Sequence, residues 1–233
     1  MPPAPNVPRY AIYFAPAPDT GLAAAGRGWL SETPPTVPGL DRERVLAITA
    51  DARHYGFHAT LKAPVELADG CTEAGLLDQL AGFAERANAP VVPMRVASLG
   101  GFLAVVPEYP PVELQDFAAE VVEAFEPFRA PLTDHDRARR RPEALTPRQR
   151  DLLERYGYPY VLDEFRFHMT LTCRLQEPER EVLREFLADR FAPVLSAPVA
   201  VNRLAVFRQP DRDSPFAEIA AATLRAVCHQ TAI

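Results

Sequence analysis

Two histidines in this chain share one spelling. Phe57-His58-Ala59-Thr60-Leu61 and Phe167-His168-Met169-Thr170-Leu171 repeat the pattern Phe-His-x-Thr-Leu, 110 residues apart. Each copy offers an imidazole and, two residues on, a hydroxyl. In an extended strand, side chains at i and i+2 share a face. His58, Thr60 and Lys62 are therefore expected on one side, and Phe57, Ala59 and Leu61 on the other. In the second copy Arg166, His168, Thr170 and Thr172 form the polar side, opposite Phe167, Met169, Leu171 and Cys173. Two such strands brought together would gather two imidazoles and two hydroxyls in a small volume. That set suits in-line displacement at phosphorus. A neutral imidazole takes a proton from water on one side, and an imidazolium returns one to the leaving alkoxide on the other. Threonine hydroxyls donate to the non-bridging oxygens, and Lys62 offsets charge there. A cyclic phosphodiester is the natural substrate, because water is the only co-reactant. The chemistry calls for no metal and no cofactor. The residues do not distinguish base from acid.

The elements that must position these groups can be read from pattern. Tyr10 to Phe14 spells a strand by its aromatic and β-branched content. Asp19 or Thr20 caps a short helix running to about Leu30, and Asp41 to Thr49 reads as a short helix or turn. The first motif strand covers about 56–65. A helical period follows over Thr72 to Asn88, then strands at Met94–Leu99 and Phe102–Val106 around a Gly100-Gly101 turn. Pro111 to Phe125 is a second long helix. The charged stretch 129–147 reads as loop, and Thr146-Pro147 starts a helix through Tyr156. The second motif strand spans Glu164 to Arg174, followed by a helix at Glu177–Asp189 and strands at Val199–Phe207 and Phe216–Leu224. The blocks at about 56–106 and 166–224 thus repeat strand, helix, strand, strand, and about 108–164 is an insertion within a single domain of residues 1–233.

Composition bounds the class. The chain has 233 residues, is 48% hydrophobic and carries a formal net charge of −6. That is enough for one sizeable core, and the balance argues against a partner such as a long nucleic acid, which demands a broad basic face. The proline-rich start has neither the basic nor the apolar region of a secretory signal. No apolar run approaches the ~20 residues a membrane span requires. Three cysteines, Cys71, Cys173 and Cys228, form no C-x-x-C pair, and an odd count fits a reduced, cytoplasmic protein. Of the 25 basic residues only Lys62 is lysine. An isolated lysine against an arginine-rich background marks Lys62 as a candidate functional group, since the two cations differ in shape and hydration.

The paired His-x-Thr-apolar motifs resemble those of the 2H phosphoesterase superfamily. Longer stretches, Tyr55 to Pro64 and Tyr156 to Val161 with Phe165 to Thr172, resemble its bacterial branch associated with phosphonate-utilisation operons. The resemblance implies a bilobal α+β fold with pseudo-twofold symmetry, two antiparallel sheets flanked by helices around a central cleft. It implies catalytic roles for His58, Thr60, His168 and Thr170. It also implies a small phosphorylated sugar or nucleotide as substrate, for example a phosphoribosyl 1,2-cyclic phosphate.

Further candidates stand beside plainer readings. Lys62, Arg166, Thr172, Arg129 and Tyr160 are candidate substrate contacts, although aromatics such as Tyr156, Tyr158 and Tyr160 more often pack against a core. Arg137, Arg139, Arg140 and Arg141 could hold a terminal phosphate, yet such runs are usually solvated and paired, here with Asp134, Asp136 and Glu143. His54 and His58 have zinc-like spacing but lack further ligands, so no metal site is expected. His135 and His229 stand in no motif. With no G-x-x-x-x-G-K-[ST] and no G-x-G-x-x-G, ATP and dinucleotide roles lack support. Two alternatives remain open at this level: an enzyme acting on 2′,3′-cyclic RNA or nucleotide ends, and a cleft that binds a nucleotide without turning it over.

Overall fold

The computed structural model describes residues 7–225. The proline-rich start up to residue 6, Cys228 and His229 lie outside them. In chain order the elements are β1 (Arg9–Phe14), α1 (Gly21–Trp29), α2 (Arg42–Tyr55), β2 (Ala59–Glu66), α3 (Glu73–Ala84), β3 (Val91–Val92), β4 (Met94–Leu99) and β5 (Phe102–Pro107). There follow α4 (Val112–Ala124), α5 (Asp134–Arg139), α6 (Pro147–Tyr156), β6 (Met169–Arg174), α7 (Glu179–Leu195), β7 (Val199–Ala200), β8 (Arg203–Gln209) and β9 (Ala217–Thr223). The fold is α+β, with every named strand pair antiparallel.

Local sequence explains most boundaries. Thr20 and Thr72 cap α1 and α3 by accepting hydrogen bonds from the amides of Ala23 and Gly75. Helix α6 opens with a reciprocal capping box between Thr146 and Gln149, has Pro147 in its first turn, and stops at Gly157. Gly100 and Gly101, at φ 57° and 96°, make the two-residue turn between β4 and β5, which requires positive φ at both positions. Two expectations change. Helix α2 continues past Thr49 to Tyr55, because Ile48 and Ala52 bury on its inner side. The charged stretch read as loop contains α5, capped by the Thr133 hydroxyl, which accepts from the Asp136 amide at 3.1 Å.

The main sheet has seven strands in the order β4-β5-β6-β2-β1-β8-β9. Its two halves meet only where the motif strands touch. β2 and β6 share a single register pair, Ala59 with Met169. Beyond it they part, and the Leu171 carbonyl takes the Trp29 indole N–H at 2.8 Å instead of a strand partner. Trp29 is fully buried and seals that wedge.

The repeated block is visible in the element order, β2-α3-β3-β4-β5 followed later by β6-α7-β7-β8-β9. The short strands β3 and β7 pair with each other, Val91 with Ala200 and Val92 with Val199. The hairpins are exchanged. The β4–β5 hairpin of the first block lies beside β6 of the second, while β8–β9 joins the half containing β2 through β1. Tyr10, Ile12 and Phe14 of β1 enter the large core, whereas Ala11 and Tyr13 form a separate cluster with Phe207 and Phe216 on the other face. Among the described residues no helix is long and apolar enough to cross a membrane.

Candidate active site

His58 and His168 each sit immediately before their strands. In both, Nδ1 lies against the carbonyl two residues back, that of Gly56 at 3.0 Å and of Arg166 at 2.7 Å. A carbonyl only accepts, so each Nδ1 carries the proton and each Nε2 is left as a lone-pair base. Gly56 adopts φ 78° as it ends α2, a conformation that favours glycine, and so delivers that carbonyl. The Thr60 hydroxyl lies 3.3 Å from His58 Nε2.

The register fixes how the motifs combine. Antiparallel pairing of Ala59 with Met169 sets Thr60 opposite His168 and Thr170 opposite His58. Directly opposed residues have Cβ atoms about 5 Å apart. The register thus pairs each histidine position with the threonine position of the other copy. The surroundings differ between the copies. The Tyr13 ring stacks on His58 with centroids 3.9 Å apart and planes 20° from parallel. His168 meets only Phe102, tilted at 58° with centroids 5.6 Å apart. Burial pushes the His58 imidazole down to about 4, and the nearby His168 adds to the depression. Burial lowers His168 as well. Both rings are held neutral at pH 7.

A cavity of about 430 Å³ opens on this face and is lined by His58, Thr60, Thr170 and Tyr13 at the motif end, with Arg129 further along, bridged to Leu67 next to Glu66. His168 is not one of its lining residues. Arg9, Glu66, Asp136, Arg139 and Arg140 line the remainder.

Lys62 does not reach it. From Tyr13 to Tyr10 the register advances three residues on β1 but five on β2, from Thr60 to Val65. One extra residue falls between Thr60 and Lys62, which sets Lys62 opposite core-facing Ile12 and breaks alternation. Lys62 turns to the core side, 4% exposed, and donates to the Val122 carbonyl at 3.1 Å and to Glu126 Oε2 at 2.7 Å. Ala63 and Val65 line the cavity in its place. The second copy repeats the device. Between Ala104 and Phe102 on β5, β6 advances four residues, from Thr170 to Arg174. Thr172 is buried, accepting from the Leu103 amide at 3.0 Å and donating to the Cys173 carbonyl at 2.9 Å. The expected substrate contacts at Lys62 and Thr172 are thus corrected to structural roles. Arg166 is exposed and lines a different groove, beside Arg95, Gln115 and Phe165. Tyr160 is also exposed, with its ring edge-on to Tyr158, and does not line the cavity.

Arg129 does line the cavity, fixed by Glu126 Oε1 and by the carbonyls of Ala130 and Arg155. Lys62 holds the other oxygen of the same carboxylate, so its charge supports Arg129 at one remove. Tyr13 and Arg9 were not foreseen as site residues. The spelling Arg-Tyr-Ala-Ile-Tyr-Phe has aromatic side chains on both faces of β1 and gives no signal of which face is wet.

The profile of DUF1045, described as a protein of unknown function, matches residues 60–217. A protein of Janthinobacterium sp. (strain Marseille) named ribose 1,5-bisphosphate phosphokinase PhnN is 39% identical over 226 residues, covering 91% of this chain and 50% of that protein. A protein of the same name from Laribacter hongkongensis (strain HLHK9) is 33% identical over 217 residues, covering 89% and 50%. The chain spans about half the length of these curated relatives. Among solved structures, E. coli LigT complexed with NADP+ aligns over 94% of this chain and 98% of its own, with a TM-score of 0.42 and 13% identity. At that score the likeness bears no functional weight.

Proposed function

The chain belongs to the DUF1045 family of proteins of unknown function, and from its site we propose that it is a phosphoric diester hydrolase that opens a small cyclic phosphate by two-histidine acid–base catalysis. The observation that carries this reading is the matched pair of Nδ1-anchored imidazoles, each set opposite the other copy's threonine. Paired imidazoles flanking one small volume meet the in-line requirement of an attacking and a leaving oxygen on opposite sides of phosphorus.

His58 is the base. It is the more depressed of the two rings, and Tyr13 covers one of its faces. Its Nε2 takes a proton from water as the water oxygen bonds to phosphorus. His168 is the acid. The negative charge of the bound diester raises its proton affinity, and its imidazolium protonates the departing alkoxide. The ester P–O bond breaks, leaving a phosphomonoester and a free hydroxyl. Thr60 and Thr170 donate to the non-bridging oxygens, and Arg129 is a fixed cation of the same cavity. No metal enters these steps.

The substrate we favour is a phosphoribosyl 1,2-cyclic phosphate of phosphonate catabolism. The resemblance to the phosphonate-associated branch supports it, as do relatives named for a ribose bisphosphate. The chain's single lysine, Lys62, stands in no phosphate-binding loop, so the phosphokinase activity in those names is not part of the proposal. Free thiols at Cys71 and Cys173 fit a reducing cytoplasm.

The test is a panel of ribosyl 1,2-cyclic and nucleoside 2′,3′-cyclic phosphates followed by phosphorus NMR, which identifies the ester bond that opens. Turnover of a ribosyl cyclic phosphate, unaffected by EDTA, supports the reading. No turnover of any cyclic ester, or activity abolished by EDTA and restored by a divalent metal, sinks it.

A further inference from the structure

The cavity has a second cationic end. β1 runs without irregularity against β8, so Arg9, Ala11 and Tyr13 share one face. The register pairs Tyr13 with Thr60 near the histidines and Arg9 with Glu66 at the far end. Four residues of strand, about 13 Å, separate the two ends.

The charge at this end is unbalanced. Two carboxylates there, Glu66 and Asp136, are both taken by Arg212, at 3.1 and 2.9 Å. Asp51 lines the same cavity. Arg9 donates to the neutral Gln209 side chain, and its guanidinium stands over the Phe216 ring at 5.7 Å. Arg140 lies over the Tyr158 ring at 4.7 Å. Among the described residues, no carboxylate oxygen lies within 4 Å of Arg9, Arg139 or Arg140, whereas the neighbouring Arg137 engages both Asp134 and Glu154. Burial and the like charges of Arg212 and Arg139 hold the Arg9 pKa below its ordinary value. Cations gathered in a concave, half-enclosed site without carboxylate partners are stabilised by an incoming anion, and a guanidinium fork matches phosphate oxygens two at a time.

We propose that Arg9, Arg139 and Arg140 form a second anion subsite, which binds a phosphate monoester carried by the substrate at the end remote from its cyclic diester. The inference rests on the cyclic-ester reading for the motif end. It assigns α5, a helix in the segment inserted between the two repeats, the task of gripping substrate.

The experiment compares wild type with Arg139→Ala/Arg140→Ala, two residues outside the buried core. Two measurements are made. The first is the ratio of kcat/KM for ribosyl 1,2-cyclic phosphate with and without a 5-phosphate, with nucleoside 2′,3′-cyclic phosphates with and without a 5′-phosphate as a second pair. The second is binding of ribose 5-phosphate by calorimetry. Wild type is expected to favour the phosphorylated member of at least one pair, and the pair with the larger ratio identifies the sugar or nucleotide source. The double variant is expected to cut that ratio by about 10- to 100-fold and to weaken ribose 5-phosphate binding at least tenfold. Cyclic esters opened without regard to the second phosphate would overturn the subsite and leave the cyclic-ester reading standing. Ribose 5-phosphate binding lost in the double variant, with no cyclic ester opened by wild type, would keep the subsite and discard the reaction. Equal losses on both members of a pair would also overturn it.

Discussion

Replacing Lys62 by methionine separates a structural lysine from a catalytic one. The change keeps most of the stem and removes the ammonium. In the native protein that ammonium is 5% exposed and sits 2.7 Å from Glu126 Oε2 and 3.1 Å from the Val122 carbonyl. Removing one partner of a buried pair costs about 3–5 kcal/mol. Glu126 is 24% exposed and keeps Arg129, so its charge is not stranded. The expected loss is therefore about 2–3 kcal/mol, or about 5–10 °C in Tm for a chain of this size. Because Arg129 retains the carbonyls of Ala130 and Arg155, kcat on the cyclic substrate should stay within a few-fold of wild type. Differential scanning calorimetry and urea unfolding measure the first quantity, and initial rates below the transition temperature measure the second. A double-mutant cycle with Glu126→Gln should show coupling, because one charge is buried against the other. An unchanged Tm together with a hundredfold fall in kcat would refute the reasoning and return Lys62 to the chemistry.

Three further outcomes are expected. His58→Ala and His168→Ala should each lower kcat by about 10²- to 10⁴-fold with little change in Tm, and the double variant should be scarcely worse, since acid and base act as a unit; full activity in either single variant on the true substrate contradicts the mechanism. Lowered pKa values mean that the folded state resists protonating His58 and His168, so their contribution to stability is complete above the unfolded value of 6.5 and is lost as pH falls through about 4. His58→Gln should flatten the decline of Tm between those pH values, and an identical slope in wild type and variant tells against the buried neutral ring. Gly26→Ala should destabilise by about 1–3 kcal/mol and depress kcat, because the new methyl would collide with the Phe57 ring that precedes His58; calorimetry with normal stability would show that α1 can yield.

The proposed catalytic groups stand out in the sequence because they are spelled twice. Helix α6 and the β4–β5 hairpin were legible because their caps and glycines are local signals. Lys62 and Thr172 were misplaced for a shared reason. Period-2 alternation holds only while a strand keeps step with its neighbour, and each motif strand slips its register just after the threonine. No residue in either stretch marks the extra count, which depends on the partner strand. The length of α2 was hidden because its apolar face is narrow, and α5 was hidden because it buries no residue and so shows no apolar period. The cationic end of the cavity joins Arg9 to residues about 130 positions later. Such a juxtaposition is set by topology and leaves no trace in spacing.

The position of β1 governs how the chain comes to have a site at all. This strand begins at Arg9, yet it is hydrogen-bonded on one side to β2 and on the other to β8, where Arg9 meets Gln209. During synthesis the paired strands β1 and β2 must wait with an open edge while nearly the whole remaining chain emerges. Loop closure over such separations is slow. Both motif strands can exist before β8 arrives, but the wall bearing Tyr13 and Arg9 is fixed only when it docks. Catalytic competence should therefore appear late and all at once, with no active fragment short of β8.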